Sequence, residues 1–166
     1  MTTVVDTEHN TVRLTRTISA PPAAVYRSFL DPAELSRWFG PGEFRVERAE
    51  IDEYAGGRHH TTIVGHNGAV RGTFACEIRE LVPDERIVLS WSWVQEHPEP
   101  THPPQAGSVL SITLRPTAAG DTELTLEHSR LGGEPDEDVA GIGEAWDRAL
   151  TKLATVYLAG AAGGRN

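Results

Sequence analysis

The sequence predicts a single α+β domain in which an antiparallel sheet is covered on one face by helices. The chain has 166 residues, 39% of them hydrophobic, which suits one globular domain with a substantial core. Seven short segments alternate apolar and polar residues, as half-buried strands do. A long C-terminal segment instead repeats apolar residues every three or four positions, as an amphipathic helix does.

The N-terminal part of the chain predicts one strand followed by two short helices. Residues 11–19 alternate in polarity and are rich in β-branched residues, so they form the first predicted strand. Ser19 is expected to cap a helix that has two prolines in its first turn. Asp31 lies three residues before Glu34, the spacing of a second helix start, and the Gly-Pro-Gly at 40–42 ends that helix.

Six further strands are predicted, separated by turns that contain Gly, Pro, Asn or Asp. Their ranges are 44–53, 57–64, 70–81, 85–94, 108–115 and 122–128. Such short connections favour an antiparallel meander. The one long interruption, 95–107, contains four prolines, and the strands on both sides of it indicate a loop within one domain.

The last predicted element is a helix over residues 136–158, about 34 Å long at 1.5 Å per residue. Gly141 and Gly143 lie within it and each costs about 1 kcal/mol relative to Ala, so they indicate a bend or a close approach of a neighbouring segment. Residues 1–10 and 159–166 are expected to be flexible ends, which leaves 11–158 as the domain.

Charge and cysteine content exclude several function classes. The formal net charge is −9, from 15 basic and 24 acidic residues, so no nucleic acid is expected as a partner. Cys76 is the only cysteine, which excludes an internal disulfide framework and a multi-cysteine zinc site. No stretch resembles a signal peptide or a bilayer span, so a cytoplasmic protein without membrane insertion is expected.

The histidines are the obvious candidates for catalysis, but their positions do not support it. His128 lies on the apolar face of a predicted strand, where a hydrogen-bonded core histidine is more common than a general base. His59 and His60 point to opposite faces of another strand and cannot ligate one metal together. The sequence contains neither a Gly-x-Ser-x-Gly elbow nor a phosphate-binding loop, so no catalytic residue, metal site or cofactor is predicted.

The order of elements, β-α-α-β-β-β-β-β-β-α, resembles the helix-grip fold of the START and birch-pollen-allergen-like (Bet v 1-like) superfamily, SRPBCC. Within it, the chain is similar to homologues of the activator of the heat-shock-protein-90 ATPase over residues 11–158. The similar segments are, in order, SAPPAAVYRSFLDPAELSRWFGP, FRVERAEIDEYAGGRHH, GTFACEIRELVPDERIVLSWSW, GDTELTLEHSRL and GIGEAWDRALTKLATVYL. The Pro-rich loop after Trp93 departs from the family pattern.

The resemblance implies a curved seven-stranded antiparallel sheet wrapped around the long C-terminal helix, with a largely apolar ligand tunnel between them. The residues expected to bind a ligand are Trp38, Phe39, Phe74, Cys76, Trp91, Trp93, Leu110, Ile112, Leu124, Leu126, His128, Trp146 and Leu150. The alternative is that these side chains simply fill the core. Trp38 is interpreted as a plug of the core, and Phe39, if partly exposed, as a gate at the tunnel mouth.

Three hypotheses for the function remain open. The first is non-enzymatic binding of a hydrophobic or aromatic small molecule, such as a lipid or a polyketide-like metabolite, by a monomer or homodimer. The second is a cavity-based enzyme, a cyclase, dehydratase or hydrolase, in which His128, Glu77 or Tyr157 would converge on one buried point, although Glu77 is predicted to face outward. The third, a co-chaperone-like regulator of a heat-shock ATPase, rests only on the name of the similar family.

Overall fold

The computed structural model describes residues 2–6, 10–39, 45–65, 70–95, 107–131 and 136–163. This part of the chain contains nine strands and three helices, in the order that the α+β prediction requires. The strands are β1 (Thr2–Asp6), β2 (Thr11–Ile18), β3 (Arg45–Ile51), β4 (Arg58–Val64), β5 (Val70–Val82), β6 (Arg86–Trp91), β7 (Trp93–Gln95), β8 (Ser108–Pro116) and β9 (Thr122–Ser129). The helices are α1 (Pro22–Leu30), α2 (Pro32–Leu35) and α3 (Asp136–Gly163).

All of these strands pair in an antiparallel manner and form one sheet. The order in the sheet is β1-β2-β9-β8-β6-β5-β4-β3, and β7 pairs with β5 off this path. The pairing of β2 with β9 joins the beginning of the domain to its later half, with Leu14 opposite Leu126. The sheet is open and curled, and together with the C-terminal helix it confirms the predicted helix-grip fold.

The described sheet has two more strands than the seven predicted, and each has a local cause. β1 lies within residues 1–10, so the segment predicted to be a flexible end contains a strand over Thr2–Asp6 that the sequence does not predict. Four of its five residues are β-branched, and it pairs with β2, placing Val4 opposite Arg13. The other additional strand arises because the predicted strand 85–94 is interrupted at Ser92: β6 pairs with the later half of β5 and β7 with its beginning.

The helices differ from the predicted ones at their ends. The N-cap of α1 is Pro21, which makes no side-chain hydrogen bond, so the predicted cap by Ser19 is wrong. The predicted cap of α2 is confirmed, because Oδ1 of Asp31 accepts hydrogen bonds from two amides of the first turn at 2.9 and 3.4 Å. α3 extends to Gly163, five residues beyond the predicted end at residue 158 and into the segment predicted to be a flexible end.

The inner face of the sheet is apolar, and the three helices cover it. Side chains of β2, β6, β8 and β9 alternate between buried and more exposed positions, as the sequence predicts. The largest fully buried side chains are Trp38, Leu14, Ile18, Leu30, Leu35, Ile78, Ile87, Leu110, Ile112, Leu124, Leu126 and Leu131. The outer face is polar, and Glu77 keeps 49% of its side chain exposed there.

Gly143 marks a close approach between α3 and the sheet. A Cβ atom at this position would lie 2.9 Å from Cγ2 of Val5 and 3.5 Å from Cγ1 of Val12. The close approach that the sequence predicts is therefore confirmed at Gly143. The prediction of a close approach is wrong for Gly141, where a Cβ atom would meet no other atom within 4 Å.

The Pro-rich loop follows β7 and precedes β8, and both of these strands belong to the same sheet. Residues 96–106 of this loop lie outside the described residues, but β6 before it and β8 after it are paired from Arg86 to Trp91. The chain thus leaves and re-enters the same sheet, as expected for a loop within one domain. Among the helices described, none combines the length and the hydrophobicity that crossing a bilayer requires.

Candidate functional site

Aromatic side chains from five parts of the chain meet at one end of the inner face. The ring centroids of Phe74 in β5 and Trp91 in β6 are 4.8 Å apart, and that of Trp146 in α3 lies 5.3 Å from Trp91. Phe39, in the turn after α2, lies 5.4 Å from Phe74 and 6.3 Å from Trp146. The ring of His128 in β9 lies 5.6 Å from that of Trp91. We call these five residues the aromatic cluster.

The strand register explains why the cluster lies at this end. Trp91 is the last residue of β6 and pairs with Ser108, the first residue of β8, while His128 is the penultimate residue of β9. β8 begins at this end of the sheet and β6 and β9 end there, because their pairing is antiparallel. β4 also ends at this end, and β3 and β5 begin there. The cluster therefore lies at this end of the sheet, which we call the Trp91 end.

Trp38 and Phe39 are neighbours with different environments. Trp38 is 1% exposed, its Nε1 donates to the carbonyl oxygen of Ser28 at 2.9 Å, and its ring packs edge-on at 4.9 Å from that of Phe29. These contacts fit the interpretation of Trp38 as a plug that ties α2 to α1. Phe39 is only 6% exposed, so the partial exposure on which its predicted role as a gate depends is not met.

His128 is fully buried, and both of its ring nitrogens have partners. Nδ1 accepts a hydrogen bond from Nε1 of Trp146 at 3.1 Å, so the proton of the neutral ring is on Nε2. Nε2 donates to Oγ of Ser108 at 2.8 Å, and this hydroxyl donates to the carbonyl oxygen of Trp91 at 3.2 Å. Burial lowers the pKa of His128 to about 3. The ring is therefore neutral at pH 7 and links three strands to α3, without a free nitrogen to act as a base.

A second polar group lies next to the cluster, on the inner face of β4. His59 is 4% exposed and donates from Nε2 to the carbonyl oxygen of Phe29 at 2.7 Å. Nδ1 of His59 and Oγ1 of Thr61 are buried without a hydrogen-bond partner. Burial lowers the pKa of His59, against smaller opposing contributions from the backbone groups of Phe29 and of His59 itself. We call His59 and Thr61 the polar pair. Because Thr61 pairs with Phe74 across the β4–β5 ladder, the polar pair borders the aromatic cluster.

The groups that the enzyme hypothesis requires do not converge. Glu77 forms an ion pair on the outer face of the sheet. Tyr157 lies eleven residues after Trp146 on α3, about 16 Å along the helix, and its hydroxyl donates to the backbone of α1 at 3.0 Å. Neither side chain therefore shares a site with His128. Burial raises the pKa of Cys76 to about 12, so its thiol remains protonated at pH 7 and is a poor nucleophile.

Potential metal ligands are scattered over the described part of the chain, where no three His, Cys, Asp or Glu side chains come together to hold a metal ion. His59 is buried, whereas His60 is half-buried on the opposite face of β4. The prediction that these two histidines point to opposite faces of one strand is therefore confirmed.

The remaining residues predicted to bind a ligand lie deeper in the core. We call five of them, each at most 1% exposed, the aliphatic group: Leu110, Ile112, Leu124, Leu126 and Leu150. They belong to the same continuous core as Cys76, which is 3% exposed. Trp93 belongs to β7, and its side chain lies outside the described residues. A role of any of these residues in ligand contact remains a prediction.

Sequence analysis alone does not identify three polar residues of the inner face. Ser108 is two residues before Leu110 on β8, so strand alternation already implies that it faces inward, but a serine adds nothing to an apolar pattern. Arg16 alternates in phase with buried residues of β2 and reaches across to an ion pair with Asp147 of α3. Thr61 lies in a segment where neither face is consistently apolar, so its orientation follows only from the sheet register.

Comparison with known proteins identifies the family. Residues 19–157, most of the chain, match the family described as Activator of Hsp90 ATPase homolog 1-like protein. No curated protein matches the chain at a significant level.

Solved structures include similar proteins. A Chromobacterium violaceum protein is 30% identical, with a TM-score of 0.69 over 89% of this chain and 96% of that one. A Silicibacter pomeroyi protein that carries the family name is 24% identical, with a TM-score of 0.71 over 87% of this chain and 95% of that one. A putative protein of the dynemicin biosynthetic locus is 23% identical, with a TM-score of 0.63 over 88% of this chain and 46% of that one. On the extent of the family match, this chain belongs to the Activator of Hsp90 ATPase homolog 1-like protein family.

Proposed function

We propose that this chain is a non-enzymatic protein that binds an apolar or aromatic small molecule, such as a lipid or a polyketide-like metabolite, between the sheet and α3. The observation that carries the proposal is the aromatic cluster, whose neighbouring ring centroids lie 4.8 to 6.4 Å apart at the Trp91 end of the sheet. Aromatic walls with few polar anchors are typical of small-molecule sites. Membership of a family with a ligand-binding fold supports the same function.

The electrostatics of the cluster favour an uncharged ligand. His128, its one titratable member, is neutral at pH 7 because burial lowers its pKa to about 3. Both of its ring nitrogens are already bonded within the protein. Burying an ionised group against such rings without a counter-charge is unfavourable by several kcal/mol. Recognition at the cluster therefore depends on shape and on apolar contact.

A ligand that enters the cluster has to displace a ring, because the rings contact one another. Phe74 and Trp91 are held by paired strands, and Trp146 by a long helix. Phe39 lies just after the turn that follows α2, outside the paired strands and the long helix, and its backbone N–H donates to the carbonyl oxygen of Leu35 at 3.0 Å. Displacement of Phe39 is therefore the least costly way to admit a ligand.

Titration with N-phenyl-1-naphthylamine, an uncharged fluorophore, tests the proposed function. We expect a saturable increase in its fluorescence, and binding that is roughly tenfold weaker in Trp91→Leu because the variant loses an aromatic wall. Ile87→Val, a fully buried position near the other end of the same strand and outside the residues predicted to bind a ligand, is the matched control and should bind the fluorophore as the wild-type chain does. Absence of saturable binding, or equal affinities for the wild-type chain and Trp91→Leu, would contradict the proposal.

The two other hypotheses have weaker support. An enzyme of the cyclase, dehydratase or hydrolase type needs convergent titratable groups, and His128, Glu77 and Tyr157 lie apart. A co-chaperone-like regulation of a heat-shock ATPase rests on the family description alone, and stoichiometric retention of a chaperone in a pull-down would favour it. A cytoplasmic location and a monomeric or homodimeric state remain predictions; the free, buried Cys76 is consistent with a reducing compartment.

A further inference from the structure

We infer that the ligand of the aromatic cluster is an uncharged molecule carrying a hydroxyl group, and that the polar pair, His59 and Thr61, binds this hydroxyl. The ligand hydroxyl donates to Nδ1 of His59 and accepts from Oγ1 of Thr61. This inference rests on the function proposed above and specifies the chemical class of the ligand.

The polar pair differs from the other buried polar side chains of the inner face. His59 and Thr61 are 4% and 1% exposed, and each has one side-chain atom without a partner. Three other buried side chains, those of His128, Ser108 and Thr122, all make hydrogen bonds of 2.7 to 3.2 Å within the protein. Buried polar atoms are nearly always paired in folded proteins, so two adjacent unpaired ones indicate a position for a polar group of another molecule.

The hydrogen bond of His59 determines which kind of group fits. Its Nε2 faces the carbonyl oxygen of Phe29, which can only accept, so Nε2 carries the proton and Nδ1 presents a lone pair. Burial lowers the pKa of this histidine and keeps the ring neutral at pH 7. Nδ1 therefore accepts a hydrogen bond from a ligand donor and repels a carboxylate. The hydroxyl of Thr61 can donate, so a ligand hydroxyl satisfies both atoms.

The geometry of β4 allows one ligand oxygen to reach both residues. His59 and Thr61 are two positions apart on a strand, which places their side chains on the same face with Cα atoms about 6.6 Å apart. An oxygen atom between two side chains at this separation can form hydrogen bonds of ordinary length to both.

Aromatic rings form a continuous series from one member of the polar pair to the other. In order they are Phe29, Trp38, Phe39 and Phe74, with neighbouring centroids 4.9, 5.5 and 5.4 Å apart. The series begins at His59, which donates to the backbone of its first residue, and ends at Thr61, which pairs with its last residue. A ring system bound with its hydroxyl at the polar pair would therefore have aromatic neighbours beside it. A phenol-like or hydroxylated polycyclic molecule has this combination of groups.

Binding of three naphthalene derivatives to the full chain at pH 7 tests the inference. 2-Naphthol carries the hydroxyl, 2-methylnaphthalene has a methyl group of similar size, and 2-naphthoate is an anion. We expect 2-naphthol to bind at least tenfold more tightly than 2-methylnaphthalene, because only the hydroxyl satisfies the polar pair. 2-Naphthoate should bind most weakly of the three.

Two variants assign this preference to the polar pair. His59→Phe keeps a flat ring and removes the acceptor lone pair of Nδ1 together with the N–H that bonds the carbonyl of Phe29, and Thr61→Val keeps the side-chain shape without the hydroxyl. In each variant the preference for 2-naphthol should fall to about threefold or less. His60→Gln, on the opposite face of the same strand, is the matched control and should keep the wild-type preference.

Two kinds of failure are distinguishable. Equal affinities of the wild-type chain for 2-naphthol and 2-methylnaphthalene, a preference that persists in both variants, or tighter binding of 2-naphthoate would overturn the inference and leave the proposed function in place. Failure of all three compounds to bind would overturn the proposed function and, with it, this inference.

Discussion

The two halves of the inner face each contain a buried histidine, but the two rings have different surroundings. On β9, His128 has a partner at each ring nitrogen, at 2.8 and 3.1 Å, and the neighbouring leucines of the same strand are fully buried. On β4, His59 has a partner at one nitrogen only, and the hydroxyl of its neighbour Thr61 has none. We call the half around His128, in which every ring nitrogen has a partner, the closed half. The half around His59 and Thr61, in which two polar atoms have none, is the open half.

This difference indicates where the polar groups of the inner face are all paired and where one of them can take a further hydrogen bond. A buried polar network with every atom paired makes one arrangement of the core more stable than its alternatives. An unpaired buried atom is unfavourable in the free protein and becomes favourable when a ligand supplies the missing partner. Burial alone therefore does not distinguish the two histidines; the number of hydrogen-bond partners does.

The largest expected effect is the loss of an aliphatic side chain from the closed half. Leu126→Ala removes a fully buried side chain of β9, and the free energy of unfolding should fall by about 3 kcal/mol, as measured by urea denaturation. The preference for 2-naphthol over 2-methylnaphthalene should remain, because the polar pair lies in the other half. A decrease in the free energy of unfolding below about 1 kcal/mol, or loss of the preference for 2-naphthol, would contradict the distinction between the two halves.

Breaking the network of His128 should have the next largest effect. His128→Phe leaves the N–H of Trp146 and the hydroxyl of Ser108 without this partner, so the free energy of unfolding at pH 7 should fall by about 2 kcal/mol. Urea denaturation at pH 7 measures the loss. A variant as stable as the wild-type chain would contradict the structural role of His128.

The same variant should change the pH dependence of stability. The pKa of His128 is lowered to about 3 in the folded chain, below the value of about 6.5 for an unfolded histidine, so acidification favours the unfolded chain. The stabilising contribution is complete above pH 6.5 and is lost towards pH 3, by up to about 1.4 kcal/mol per pH unit. Between pH 6.5 and 5 the slope of the free energy of unfolding against pH should therefore be smaller in His128→Phe than in the wild-type chain, and equal slopes would contradict a lowered pKa of His128.

Two buried threonines give a matched test of the open half. Thr61 is 1% exposed without a partner, whereas Thr122 is 0% exposed and donates to the carbonyl oxygen of Ala20 at 2.7 Å. Thr122→Val should lower the free energy of unfolding by about 1.5 kcal/mol, and Thr61→Val should leave it unchanged or raise it by up to about 1 kcal/mol. Equal losses in thermal or urea unfolding would show that Thr61 has a partner of its own.

The smallest expected effect concerns the packing of α3 against the first two strands. Gly141→Ala meets no neighbour and should raise the free energy of unfolding by up to about 1 kcal/mol through helix propensity. Gly143→Ala gains the same propensity but places Cβ 2.9 Å from Cγ2 of Val5, so it should be the less stable variant. If the two variants were equally stable by urea denaturation, the close approach would have no energetic consequence.

The closed half was the easier one to predict from the sequence. Leu124 and Leu126 alternate with polar residues, so the strand and its inward face follow from the pattern. β4 carries His59 and Thr61 on its inner face, which removes the hydrophobic signal, and only the pairing with β5 reveals their orientation. The sequence does not predict the edge strand β1, because this short strand depends on its pairing with β2 and a local pattern does not show that pairing.

The contacts within the site depend on residues distant in the chain. His128 meets Ser108 and Trp146 across sequence separations of 20 and 18 residues, and His59 meets Phe29 across 30. Such contacts follow from the register of the sheet and the path of the helices, which local patterns do not specify. The sequence therefore predicts many of the cluster's members but not which of their polar atoms lack a partner.

The most direct test of the central claim is the imidazole ¹⁵N spectrum of the full chain during titration with 2-naphthol. Nδ1 of His59 should shift saturably as it accepts a hydrogen bond from the ligand, while both ring nitrogens of His128 should move far less. A saturable shift confined to His128, or no shift at either ring while 2-naphthol binds, would contradict the assignment of the ligand hydroxyl to the polar pair.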